Sequence, residues 1–180
     1  MPSALITGAN RGLGLEFARQ YVADGWQVYA ACRDPAPASE LRRLADGSDD
    51  KLRLLAMDVT DPASIHAAAI ELNGQAIDLL LNNAGIMGPR GQTIGNIDYK
   101  AWAHVFAVNT MGPMRVSEAF VEHVARSDGK LIVTLERGVQ VRKHNAQVIP
   151  SPLDDFGAYQ WRIKSPDADP FIVVLPPPHD

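Results

Sequence analysis

The chain has 180 residues, of which 46% are hydrophobic and 21% charged, as expected of one soluble globular domain. The chain has 17 Lys and Arg residues and 21 Asp and Glu residues, which give a net charge of -4. This charge and the lack of a long basic run exclude the positive patch by which proteins bind nucleic acid or an anionic membrane. The lone cysteine excludes an intramolecular disulfide, no Cys/His cluster has metal-ligand spacing, and the lack of a leader or membrane-spanning run favours the cytoplasm.

Short apolar runs alternate with amphipathic segments along the first three quarters of the chain. Strands are predicted at residues 3–7, 27–33, 51–59, 76–85 and 129–136. Helices are predicted between them, at residues 14–25, 37–45, 61–72 and 96–127. Strands that are apolar throughout and separated by helices indicate a parallel sheet covered on both faces. We therefore expect a doubly wound, Rossmann-type α/β fold in three layers, with the parallel sheet between two layers of helices.

Three glycines, Gly8, Gly12 and Gly14, lie where the first predicted strand meets the first helix. In a doubly wound fold, ligands bind outside the carboxyl ends of the strands, and this turn directs backbone N–H groups and a positive helix end towards them. Residues without a Cβ let a pyrophosphate approach the backbone. The alternative is a tight turn that holds no ligand, but the position between a first strand and a helix favours nucleotide phosphate binding.

Four motifs in chain order resemble those of the classical short-chain dehydrogenase/reductase family. They are TGANRGLG at 7–14, MDVTD at 57–61, NNAG at 82–85 and FAVNTMGP at 106–113, and the resemblance covers about residues 3–135. It implies an oxidoreductase that moves hydride between a nicotinamide dinucleotide and a carbonyl or alcohol. The cofactor contacts that it implies are Gly8, Asn10, Arg11, Gly12, Leu13, Gly14, Asp58, Val59, Asn83, Ala84 and Gly85.

The end of the second predicted strand bears on which dinucleotide is bound. An NAD site places a carboxylate there for the ribose hydroxyls, whereas the 2′-phosphate of NADP needs a cation. The chain has Cys32 and then Arg33, whose planar fork suits a phosphate. The resemblance adds Arg11 as a second phosphate partner in members that use NADP. NADP is therefore favoured over NAD, the alternative being that Arg33 is a solvated residue paired with Asp34.

Asn109 lies in the middle of the long predicted helix, where asparagine is a poor helix former. Pro113, four residues later, has no N–H to donate to the Asn109 carbonyl, so a kink and a free carbonyl are predicted there. The resemblance implies that Asn109 is the active-site asparagine of the family, whose carbonyl holds a water in a proton relay. The alternative is a chance kink in a buried helix.

The chain departs from the family pattern after the fifth predicted strand. The resemblance implies a Ser just after that strand, and a Tyr followed four residues later by a Lys that lowers its pKa. Leu135 and Glu136 stand where the hydroxyl is expected, and Tyr159 precedes Lys164 by five residues. Five residues turn a helix to about 140° from the start, so this pair would not share a helical face. Tyr159 and Lys164, with Asn109, are nevertheless the catalytic candidates.

Residues 137–180 are predicted to be a divergent, Pro-rich tail of a Rossmann domain at 1–136, not a separate domain. We expect the sheet to be incomplete at its C-terminal edge, with residues 171–175 at most imitating the sixth strand of the family. Two functions of different class remain open: an NADP(H)-dependent oxidoreductase, and a degenerate, non-catalytic NADP-binding module or truncated or frameshifted fragment. Members of the family pair through the long helix and the Tyr/Lys helix, so the usual homo-oligomer is not expected to be complete here. The sequence does not specify the substrate.

Overall fold

The computed structural model describes residues 1–128 and 131–134, and the backbone of three further strands at 148–151, 159–163 and 174–175. The chain divides into two compact units, Met1–Ile132 and Val133–Asp180. The elements up to the fifth strand are β1 Ser3–Thr7, α1 Gly12–Ala23, β2 Gln27–Cys32, α2 Ser39–Asp46, β3 Leu52–Ala56, α3 Pro62–Glu71, β4 Leu79–Asn82, α4 Tyr99–Phe106, a π-helical turn at Ala107–Met111, α5 Gly112–Ala125 and β5 Leu131–Thr134.

These five strands form one sheet in the order β3-β2-β1-β4-β5. β1 runs parallel to both β2 and β4, and β2 runs parallel to β3. The strand order reverses between β1 and β4, which creates a topological switch point at the carboxyl ends of these two strands. The predicted doubly wound α/β fold is therefore confirmed.

The core lies on both faces of the sheet because alternate strand residues point in opposite directions. On one face, strand residues pack against α3 and α5 in a cluster that includes Leu5, Tyr29, Leu55, Leu80, Ile65, Leu72, Val116 and Phe120. The intervening residues Ala4, Ile6, Val28 and Ala30 are also fully buried. They belong to the face on which α1 packs against β1 and β2. This accounts for strands that are apolar throughout.

The strands are shorter than predicted because their flanking residues bond to other partners. The run at 76–85 contributes only Leu79–Asn82 to the sheet. Before it, the Ile77 amide donates to the His123 carbonyl at 3.0 Å. After it, the Asn83 amide donates to the Thr7 hydroxyl at 3.0 Å, so the chain leaves the ladder there.

The long predicted helix is divided by the π-helical turn at Ala107–Met111. This turn contains Asn109, where a kink was expected, and it precedes Pro113, which has no N–H for the helical ladder. A wider turn accommodates the residue that the ladder cannot bond, and such π-helical turns occur often at functional sites. The sequence predicted a disturbance at the right residue but not its form.

The second unit contains β6 Val148–Ser151, β7 Tyr159–Ile163 and β8 Val174–Leu175, in an antiparallel sheet of order β6-β7-β8. Val174 and Leu175 thus pair with β7 and do not imitate a sixth parallel strand. Tyr159 begins the strand β7, and only its backbone is described. Leu135, Glu136 and Lys164 lie outside the described residues. Within the described residues, no helix is long and apolar enough to cross a bilayer.

Candidate functional site

The turn between β1 and α1 depends on two glycines with left-handed backbone. Gly8 has φ of +65°, and a Cβ added to it would lie 2.9 Å from Ala84 Cα. Gly12 has φ of +58°, but a Cβ added there would meet nothing within 4 Å. The two residues therefore have different roles, because Gly8 lets the turn touch the chain after β4, whereas the space over Gly12 is open.

The third glycine, Gly14, packs the first turn of α1 against the end of β4. A Cβ at Gly14 would come closer than 3.0 Å to both Asn83 Nδ2 and the Gly8 carbonyl oxygen. Glycine is therefore needed at position 14 because the protein packs closely around it, and not because a ligand approaches there. Of the three positions, only Gly12 has open space where its side chain would be.

The N-terminus of α1 is uncapped, unlike those of α3 and α4. The N-cap residue Arg11 is extended, and its side chain makes no capping hydrogen bond. By contrast, Asp61 Oδ1 accepts from the Ala63 amide at 2.9 Å, and Asp98 Oδ1 accepts from the Ala101 amide at 2.9 Å. The first-turn amides of α1 and the positive end of its dipole therefore face the carboxyl edge of the sheet with no side-chain acceptor. Such an arrangement suits an anionic group.

Thr7 joins the carboxyl ends of β1 and β4. Its hydroxyl accepts from the amides of Asn83 at 3.0 Å and Ala84 at 2.9 Å. In return, Asn83 Nδ2 donates to the carbonyls of Thr7 at 2.8 Å and Gly8 at 3.2 Å. These four bonds hold the NNAG segment against the glycine turn. Thr7 was not among the candidate residues, although it opens the TGANRGLG motif.

At the end of β3, Asp58 is held as a carboxylate. Its Oδ1 accepts from the Thr60 amide at 2.8 Å and the Thr60 hydroxyl at 2.7 Å. Burial acts to raise the pKa of Asp58, but the Thr60 hydrogen bonds and the positive charges of Arg33 and His104 outweigh it and lower the pKa. The neighbouring Val59 is buried, and a Cβ added to Gly112 would lie 3.1 Å from Val59 Cγ2.

Arg33 follows β2 and is exposed, as are Arg11 and Asn10, whereas Leu13 is half-buried. Asp34 Oδ1 accepts a hydrogen bond from the Ala36 amide at 3.1 Å. Among the described residues, no ion pair joins Asp34 to Arg33. The guanidinium of Arg33 is therefore not neutralised by its neighbour in the way that the alternative interpretation required.

The Asn109 side chain connects the π-helical turn to the chain that follows β4. Its Oδ1 accepts from the Ile86 amide at 2.9 Å, and its Nδ2 donates to the Ile86 carbonyl at 2.9 Å. A Cβ on Gly85 would lie 3.5 Å from Asn109 Oδ1. The side chain of Asn109 thus has a positioning contact that its place in the sequence did not reveal.

The first unit brings the glycine turn, MDVTD, NNAG and Asn109 to the carboxyl edge of one parallel sheet. It does not contain the other two catalytic candidates, since Tyr159 belongs to the second unit and Lys164 lies outside the described residues. Within the described part of the chain, no three His, Cys, Asp or Glu side chains cluster as a metal site requires. The arrangement is that of an anion-binding edge with an ordered carboxylate on one side.

Comparisons with known proteins agree with this architecture. The model of the short chain dehydrogenase family matches residues 2–143. The (+)-neomenthol dehydrogenase of Arabidopsis thaliana is 32% identical over 154 residues, covering 73% of this chain and 52% of that protein. A short-chain dehydrogenase/reductase from Burkholderia multivorans with bound NADP has a TM-score of 0.65 and 32% identity, covering 74% of this chain and 58% of that one.

An NADPH-bound carbonyl reductase from chicken fatty liver has a TM-score of 0.62 and 42% identity, covering 69% of this chain and 52% of that one. The chain spans about half the length of the curated relatives it matches. The family model nevertheless covers well over half of the chain, including all four motifs. This protein belongs to the short-chain dehydrogenase/reductase family.

Proposed function

We propose that this chain binds NADP(H) at the carboxyl edge of its parallel sheet and takes part in hydride transfer between NADP(H) and a carbonyl or alcohol substrate. The observation that carries the proposal is the uncapped N-terminus of α1 beside the open space over Gly12. An anionic pyrophosphate there would accept hydrogen bonds from amides that no side chain caps. Membership of the family supports a dinucleotide as the source of that anion.

The residues at this edge fit such a cofactor. The amides of Gly12, Leu13 and Gly14, with Asn10 beside them, would hold the pyrophosphate, and Gly8 shapes the turn. Asp58 is an ordered acceptor next to the buried Val59 and would bind the adenine end. On the other side of the switch point, the segment Asn83, Ala84 and Gly85 would contact the ribose that carries the nicotinamide.

Preference for NADP over NAD rests on two exposed guanidinium groups. Arg33 follows β2, where a 2′-phosphate would lie, and Arg11 is the N-cap residue of α1. Asp34 is the nearest carboxylate in the sequence, and its Oδ1 accepts from the Ala36 amide. A carboxylate so engaged is less suited to hold the ribose hydroxyls of NAD.

The cofactor, when bound, supplies a hydride to the substrate carbonyl carbon, and a proton delivered to the oxygen completes the alcohol. Asn109 would support the proton relay, and its side chain keeps the π-helical turn in place through both bonds to Ile86. Tyr159 would donate the proton, with Lys164 favouring its ionised form.

A second candidate function is a non-catalytic NADP-binding module. The observation that favours it is the strand at Tyr159–Ile163, because the mechanism of the family uses a Tyr and a Lys one turn apart on a helix. A strand that begins at Tyr159 does not provide the helical turn that this arrangement of Tyr and Lys uses. A chain of this kind would retain the cofactor site and act through binding alone.

Titration with NADPH and NADH, followed by tryptophan fluorescence, tests cofactor binding. We expect the chain to bind NADPH at least about 10-fold more tightly than NADH. We expect Arg33→Ala to weaken the affinity for NADPH by about 10-fold or more, because it removes charge-assisted hydrogen bonds to the 2′-phosphate, and to change the affinity for NADH by no more than about twofold. The matched control is Arg43→Ala, which removes an exposed arginine in the last turn of α2. Equal affinities for the two cofactors would refute the NADP assignment, and no binding of either would refute the site.

Turnover separates the two candidate functions. A panel of aldehydes and ketones is incubated with NADPH and the full chain, and the loss of NADPH absorbance is measured. Turnover that Tyr159→Phe abolishes without weakening NADPH binding supports the oxidoreductase. Tight NADPH binding with no turnover on any substrate supports the non-catalytic module.

A further inference from the structure

The segment from α4 to α5 crosses the carboxyl edge of the sheet, and its position is defined by three contacts. A Cβ added to Gly88 would lie 3.6 Å from Val105 Cγ2. Asn109 bonds to both polar atoms of the Ile86 backbone. A Cβ added to Gly112 would lie 3.1 Å from Val59 Cγ2. Along this segment, the contacts therefore pass from the chain that follows β4 to the end of β3.

Helical spacing places His104 on the same face of this segment as Val108 and Gly112. Val108 is buried in the same apolar cluster as Val59, and Gly112 touches Val59 directly. His104 precedes Val108 by four residues, so it lies on the same face about one turn earlier. Helical side chains lean towards the helix N-terminus, which carries the imidazole outwards from Val108. His104 is exposed, whereas Val59 and Val108 are both buried.

The electrostatics agree with this placement. The positive charges that lower the pKa of Asp58, against the opposing effect of burial, come from Arg33 at the end of β2 and from His104 on α4. Asp58 therefore interacts electrostatically with side chains from two different parts of the chain. No hydrogen bond occupies the imidazole among the described residues. Its ring is free to contact a ligand that reaches Asp58 and Val59.

We propose that His104 contacts the adenine ring of the bound dinucleotide and forms one wall of the adenine site, opposite Asp58 and above Val59. The inference rests on the proposed binding of NADP(H), and it adds a residue that the four motifs do not include. A planar imidazole at an open edge offers the adenine an aromatic surface, and contacts between aromatic rings are favourable beyond their buried area. The aliphatic floor comes from Val59 and Val108.

Isothermal titration calorimetry with NADPH and with 2′,5′-ADP tests this role, since 2′,5′-ADP contains the adenosine half of the cofactor and lacks the nicotinamide. We expect His104→Ala to lower the affinity for both ligands by the same factor, about 3- to 10-fold. We expect His104→Phe to retain affinity within about threefold, because it keeps an aromatic ring. The matched control is His66→Ala, an exposed histidine on α3. The thermal midpoint without ligand is measured for each variant, and a purely structural role would lower it in His104→Ala.

Each outcome decides the proposal. Unchanged affinity of His104→Ala for both ligands overturns it, as does weaker binding of NADPH with unchanged binding of 2′,5′-ADP. Equal losses in His104→Ala and His104→Phe overturn the ring contact and indicate a charge or hydrogen bond to phosphate. If the unaltered chain binds neither ligand, the proposed cofactor function itself fails, a result distinct from a normal chain with an insensitive His104.

Discussion

Replacement of Gly14 by alanine tests how the glycine turn is held together. The new Cβ would come closer than 3.0 Å to the Gly8 carbonyl oxygen and to Asn83 Nδ2. The carbonyl is backbone and cannot rotate away, so either α1 shifts or the Asn83 amide leaves its two acceptors. Overpacking of this kind costs about 1 to 3 kcal/mol. Each hydrogen bond lost from Asn83 adds about 1 kcal/mol.

Alanine also favours a helix over glycine by about 1 kcal/mol, which offsets part of the loss. With both Asn83 bonds lost, we therefore expect Gly14→Ala to lower the free energy of unfolding by about 2 to 4 kcal/mol. In urea, with a slope of about 2 kcal/mol per molar, the unfolding midpoint would fall by about 1 to 2 M. Trp26 fluorescence reports the transition, because its ring packs against Tyr21 with centroids 4.8 Å apart.

The matched control is Gly47→Ala. Gly47 has φ of -97°, and the atom nearest to an added Cβ is the Arg43 carbonyl oxygen at 3.6 Å, an ordinary contact. We expect its midpoint to stay close to that of the unaltered chain, or to rise slightly as the unfolded chain loses freedom. If Gly14→Ala and Gly47→Ala unfold at the same urea concentration, the steric explanation of Gly14 is wrong.

Three further predictions concern side chains that the structure places at the edge of the sheet or in its core. Thr7→Val should lower the free energy of unfolding by about 1 to 3 kcal/mol in urea melts, because it removes the acceptor of the Ala84 amide and one of the two acceptors of the Asn83 amide, whereas Thr7→Ser should recover most of the loss. Asn109→Ala should cost about 1 to 3 kcal/mol and speed amide exchange at Ile86, and unchanged exchange there would count against the two bonds. Burial lowers the pKa of His123, and this effect outweighs the hydrogen bond to a backbone carbonyl, which acts to raise the pKa. His123 therefore binds a proton more readily in the unfolded chain than in the folded one. Stability should therefore fall as the pH drops below about 6.5 towards the lowered pKa, and His123→Gln should flatten this pH dependence.

Much of the fold follows from local patterns in the sequence. The apolar runs predicted all five parallel strands, and the amphipathic segments predicted the helices between them. The helix predicted at residues 61–72 corresponds to α3, whose N-terminus is capped by the Asp61 carboxylate. Such signals survive folding because periodicity and capping depend on residues within a few positions of one another.

The limits of strands and helices were less well predicted. The run at 76–85 is apolar throughout, yet only Leu79–Asn82 pairs in the sheet, because the flanking amides bond elsewhere. Pro113 predicted a disturbance at Asn109, but a missing N–H does not determine whether the helix kinks or widens into a π-helical turn. That choice depends on what the released segment packs against.

The sequence by itself determined the class of fold, the position of the glycine turn and the family motifs, because each is written in neighbouring residues. Only the tertiary structure decided the separate roles of the glycines, the four bonds around Thr7, the attachment of Asn109 to Ile86 and the position of His104 near Asp58. Thr7 and Asn83 are 76 residues apart, and no local pattern encodes their bond. These contacts arise because a parallel sheet brings the carboxyl ends of distant strands to one edge, where side chains from separate motifs meet.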